Sequence, residues 1–113
     1  MPTPLHEAKA ELFRTLGHPV RIRVLELLSE REHAVHELLA EIGIEASALS
    51  QQLAVLRRAG VVRQRREGGE VLYAVQTETV PALLAAARAT LSDVLAGQVQ
   101  LHAELDDENA VSA

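Results

Sequence analysis

The chain has 113 residues, 48% of them hydrophobic but only 2% aromatic, and a formal charge of −5; this suffices for one compact core and not for two. Phe13 and Tyr73 are its aromatics, so Leu, Val, Ile and Ala must fill that core, which favours a mainly α fold. Cysteine is absent, which excludes disulfides, thiolate catalysis and thiolate metal sites. Met1–Glu11 lacks the basic and apolar blocks of a leader, and no run approaches the ~20 apolar residues of a membrane span, so a cytoplasmic protein without a membrane partner is expected.

Leu5, Leu12, Phe13 and Leu16 form one helical stripe, closed by Gly17-His18-Pro19 because Gly and Pro punctuate helices. Pro19 suits the first turn of a second helix, whose Val20, Val24, Leu27 and Leu28 form a stripe widened by Ile22 and Leu25. After the polar stretch Ser29–His33, Val35, Leu38, Leu39 and Ile42 predict a short third helix ending at Gly43. A fourth follows from Ala46 to Ala59 and stops at Gly60. Two short helices joined by a tight turn make a helix-turn-helix.

Beyond Gly60 the pattern becomes extended. Val61–Arg66 and Val71–Val75 flank Gly68-Gly69 and predict a β-hairpin wing. Thr79 is placed to cap a last helix, with Pro81 in its first turn, running through Leu83, Leu84, Ala87, Leu91, Val94 and Leu95 toward Leu101 or Leu105. That stripe and the one on the first helix exceed what so small a domain can cover. Leu5, Leu12, Leu84, Ala87, Leu91 and Val94 are therefore expected to meet a second copy of the chain. The expected organisation is one winged helix-turn-helix domain over residues 1–105 and an acidic disordered tail over 106–113.

The charge is unevenly distributed. Ala46–Arg66 carries Arg57, Arg58, Arg63, Arg65 and Arg66 with no acidic residue, leaving −10 on the rest of the chain. A basic face on an acidic body suits the binding of one side of a DNA duplex, although a solvated charged face has the same composition. On a helical wheel, Leu49, Leu53 and Leu56 fall opposite Ser47, Gln51 and Arg58, with Ser50 and Arg57 flanking. Ser47, Ser50 and Gln51 lie in the first half of the helix, the part that enters a major groove, and are assigned to base readout. Arg57 and Arg58 are assigned to the DNA backbone, and Arg63, Arg65 and Arg66 to phosphates or a minor groove beside the wing.

The strings Leu16-Gly-His-Pro-Val-Arg-Ile-Arg-Val-Leu25, Ser47-Ala-Leu-Ser-Gln-Gln-Leu53, Leu56-Arg-Arg-Ala-Gly-Val-Val62 and Arg65-Arg-Glu-Gly68, with Tyr73, resemble the ArsR/SmtB family of bacterial repressors. The likeness runs in order from about Leu12 to Val75. It implies a dimeric winged helix, an operator with an imperfect inverted repeat, and dimerisation through the first and last helices. Gln52 stands where many members carry His, and His18 where many carry Asp.

Many such relatives respond to metals, but this chain departs from their ligand patterns. Ala34 and His36 stand near the positions of third-helix cysteines, and Asp93, His102, Glu104 and Asp106 offer the types of the last-helix site at different spacings. The remaining candidates are His33 and His36, and His102 with Asp106 one turn apart, joined by His6 across a dimer. Such nitrogen and oxygen ligands favour Ni²⁺ or Zn²⁺ over Cu(I). Local spacing fixes too few of them to set a site above ordinary solvated histidines. The expected function is a DNA-binding transcriptional regulator of the repressor type; the alternative is a winged helix that binds only protein. No arrangement of nucleophile, base and carboxylate supports an enzyme.

Overall fold

The computed structural model describes residues 2–112, with side-chain surroundings for residues 2–108. Five helices and a three-stranded sheet follow in the order α1 (Leu5–Leu16), α2 (Pro19–Glu30), β1 (His33–Ala34), α3 (Val35–Ile42), α4 (Ala46–Arg58), β2 (Val62–Glu67), β3 (Glu70–Val75) and α5 (Thr79–Ser112). The chain falls into two compact units, one ending at Pro81 and one beginning at Ala82, where a single domain to residue 105 was expected.

In the first unit the apolar stripes of α2, α3 and α4 converge. Val24, Leu25, Leu38, Leu49 and Leu56 have no exposed surface, and Leu27, Leu28 and Leu53 retain 4% or less. Removing a side chain such as Leu25 costs about 2–5 kcal/mol, because the cavity left behind closes only in part.

The termini of these helices have identifiable causes. Pro19 opens α2, where its missing N–H is harmless, and His18 Nδ1 accepts the Val20 N–H at 3.1 Å. An acceptor at this position is what an Asp would supply, so His18 performs the same cap with an imidazole. At α3, Glu37 Oε1 accepts the Ala34 N–H at 2.9 Å, the carboxylate half of a capping box. Gly43 ends α3 with φ 73° and donates its N–H to Leu39 O at 2.9 Å, the left-handed cap that glycine adopts without strain.

The hairpin is joined by one more strand than the sequence predicts. β1 pairs antiparallel with β3 and β3 with β2, giving the order β1-β3-β2, with His33 opposite Tyr73 and Ala34 opposite Leu72. Two residues are too few to show an alternating pattern, so β1 was hidden in the polar run. Gly68 and Gly69, with φ 56° and 84°, make the β2–β3 turn; positive φ at both positions matches the twist of the strands. Tyr73 is buried on β3.

The second unit is the helix α5 beyond Pro81. It continues through Asp106 to Ser112, where the sequence reading expects an acidic disordered tail over 106–113; residue 113 lies outside the described residues. No Gly or Pro follows Gly97, and the Ala, Leu, Gln and Glu that dominate there are helix formers. By length and a mean hydropathy of 1.3 over its most apolar stretch, α5 is long and apolar enough to cross a membrane, although Arg88 and Asp93 interrupt its apolar run. Leu91, Val94, Leu95, Val99, Leu101 and Leu105 are all exposed on it.

Candidate nucleic-acid interface

Helix α4 follows α3 after the three-residue turn Gly43-Ile44-Glu45. Its inner row of Leu49, Leu53 and Leu56 is locked in the core, which leaves Ser47 and Gln51 exposed on the opposite side and Ser50 exposed on the flank. All three stand within the first two turns. Arg57 and Arg58 close the helix, exposed in its last turn, where they also complement the helix dipole.

Arg21 holds α4 in place. Its Nε donates to Gln52 Oε1 at 2.8 Å and its Nη1 to Thr15 O at 3.0 Å, joining α2, α4 and the end of α1. Gln52, the position where many relatives carry His, thus faces inward from the helix and leaves readout to its neighbours.

The three wing arginines separate sharply. Arg63 Nη1 donates to Val75 O at 2.9 Å across the hairpin. Arg65 donates from Nε and Nη2 to the two Glu32 oxygens at 2.9 and 2.6 Å, and its Nη1 lies 2.7 Å from Glu67 Oε2. These hydrogen bonds, Glu32 first, raise the guanidinium pKa above its ordinary value, and Arg65 in turn lowers that of Glu32. Arg57, Arg58 and Arg66 form no ion pair among the described residues. Glu32 was not legible as a partner of Arg65, because it lies 33 positions away.

Each candidate metal ligand has its own surroundings within the single chain. His33 is a correction: it is 3% exposed, and its Nδ1 is 2.8 Å from Arg31 O, so it serves as a buried bracket for the turn before β1. His36 is exposed and faces Glu70 at 3.4 Å. His6, His102 and Asp106 are exposed on α1 and α5. Among the described residues no three His, Asp or Glu side chains come together as a metal would need.

A polar recognition helix set on an apolar core, a three-residue turn before it and a hairpin after it define a winged helix-turn-helix DNA-binding protein. Residues 18–64 match the family described as bacterial regulatory protein, arsR family. The HTH-type transcriptional regulator Rv0081 of Mycobacterium tuberculosis is 52% identical over 103 residues, 90% of each chain. Its crystal structure superposes with a TM-score of 0.81 over 87% of this chain and 99% of that one. The transcriptional repressor BigR of Xylella fastidiosa is similar with a TM-score of 0.70 and 38% identity, over 75% of this chain and 87% of its own. So is the homodimeric winged helix-turn-helix domain of Mb0332 from Mycobacterium bovis, with a TM-score of 0.73 and 28% identity, over 80% and 84%. The chain belongs to the ArsR family and is a DNA-binding transcriptional regulator.

Proposed function

We propose that the protein is a cytoplasmic repressor that binds an inverted-repeat operator in duplex DNA as a homodimer. One observation carries this reading: the exposed polar face of α4 lies in the acid-free segment Ala46–Arg66, while the rest of the chain carries −10. Ser47, Ser50 and Gln51 read base edges from the first half of α4, Gln51 being suited to the paired donor and acceptor of adenine. Arg57 and Arg58 neutralise phosphates at the rear of the helix, and Arg66 does so from the wing. Arg63 keeps its outer N–H groups for the same purpose.

The exposed apolar residues support the dimer. Leu5 and Phe13 on α1 are 70% and 61% exposed, and Leu91 and Val94 on α5 are 58% and 50% exposed. Leu12 and Leu84 are half-buried and Ala87 is exposed. A second copy accounts for this surface better than lipid does, since Arg88 and Asp93 on α5 would each cost about 3 kcal/mol near the centre of a bilayer. The homodimeric relative from M. bovis points the same way.

The test is selection of bound fragments from the source genome. The reading expects enrichment of promoter fragments sharing an inverted repeat, with binding that weakens steeply as salt rises. Enrichment without a shared sequence would leave a nonspecific DNA binder, and no retention of DNA would favour a winged helix that binds only protein.

A further inference from the structure

The arginine cluster that suggests DNA binding is not chemically uniform. Arg65 has all three guanidinium nitrogens engaged by carboxylates, two of them in a bidentate pair with Glu32. Such a pair fixes direction as well as distance, because planar fork meets planar fork. A phosphate contact from Arg65 would first have to break it.

The sheet register shows what the pair spans. Arg65 on β2 stands opposite Leu72 on β3, and Leu72 stands opposite Ala34 on β1; directly opposed residues share a sheet face. Glu32 lies two residues before Ala34. The Arg65 side chain thus crosses β3 to reach the segment that leads into β1 and α3.

That segment is itself anchored. Arg31 donates to the Glu32 carbonyl at 2.8 Å and to Glu37 on α3 at 2.7 Å. Glu37 receives the Ala34 N–H, and His33 is buried against the Arg31 carbonyl. A continuous set of polar contacts therefore runs from the wing through Glu32 to the first helix of the helix-turn-helix.

We infer that Arg65 is a positioning residue, which with Glu32 fixes the wing relative to the helix-turn-helix and does not itself contact DNA. The inference rests on the proposed DNA-reading function and reassigns one of its arginines. Exposed ion pairs add little to fold stability, so variants at this pair keep the native structure. What they lose is the simultaneous fit of wing and recognition helix to one operator.

The test measures affinity for the selected operator and for random DNA across a range of salt concentrations, with urea midpoints to verify folding. Arg65→Lys and Glu32→Ala each lower the operator-to-random ratio by about tenfold, and the double variant loses no more than either single. The salt slope stays at the wild-type value in all three. Lysine fails here because it retains the charge but not the fork. Arg66→Ala, the phosphate-contact control, reduces the salt slope by about one.

The inference is overturned if Arg65→Lys binds as wild type while Arg65→Ala lowers the slope by about one, for Arg65 would then be a phosphate contact. It is also overturned if Glu32→Ala tightens operator binding, since Glu32 would then be a competitor of DNA. Wild-type protein without salt-dependent binding to any DNA would instead remove the underlying functional reading, a separate result.

Discussion

Arg21 on α2 and Gln52 on α4 are joined by a 2.8 Å hydrogen bond, Nε to Oε1. The pair fixes the recognition helix from its inner side while Gln51, the next residue back, remains exposed. Two adjacent glutamines therefore have different work: one orients the helix and the other faces outward.

Gln52→Ala leaves the half-buried Arg21 Nε without its acceptor. Loss of a hydrogen bond to a charged group costs about 1.5–3 kcal/mol, to be measured as a lower urea midpoint at unchanged slope. Gln51→Ala, fully on the surface, leaves that midpoint in place. Equal midpoints for both variants would show that Arg21 finds another partner without cost.

The His18 cap predicts an ordered series. His18→Ala removes the acceptor for the Val20 N–H and costs about 1 kcal/mol, whereas His18→Asp restores one and stays near wild type. Thermal unfolding of the three proteins resolves the order. Identical transitions would show that α2 is held by its core face and Pro19 alone.

Glu37 gives the turn before α3 a defined response to acid. Its hydrogen bond from Arg31, then that from the Ala34 N–H, lower its pKa from 4.5 to about 2. A depressed carboxylate stabilises the fold above its unfolded value, and the contribution is lost as pH falls through the folded one. The stability gap between wild type and Glu37→Gln should be constant above pH 4.5, shrink below it and close near pH 2. Denaturation at a series of pH values measures the gap; a gap independent of pH would assign the loss to packing.

The apolar face of α5 predicts an oligomeric defect. Leu91→Asp and Val94→Asp place charges on residues that are at least half exposed in the single chain, so the fold of the first unit persists while association fails. Sedimentation equilibrium should show a dimer for wild type and a monomer for the double variant, with operator affinity falling in parallel. A dimer that survives both changes would place the interface elsewhere.

The helices and the wing were legible because they are local. The 3.6-residue period placed Leu49, Leu53 and Leu56 inside and Ser47, Ser50 and Gln51 outside, and the Gly-Gly centre marked the hairpin. What escaped was set by distant partners. His33 has the residue type of a metal ligand, and only its pairing opposite Tyr73 reveals a buried role. Arg65 shares the composition of Arg66, and only the chain's return past Glu32 separates the two. Nor did the acidic end of α5 announce a helix, since its charges read as a tail although its neighbours favour helical backbone.

The central claim is that α4 reads DNA with its exposed polar face. Titration of wild type, Gln51→Ala and the double variant Arg57→Ala/Arg58→Ala against the selected operator and random DNA tests it most directly. The account predicts that Gln51→Ala lowers operator affinity by about 1–3 kcal/mol and leaves random DNA untouched, whereas the arginine variant weakens both and reduces the salt slope by about two. Wild-type affinity for the operator in both variants would contradict it.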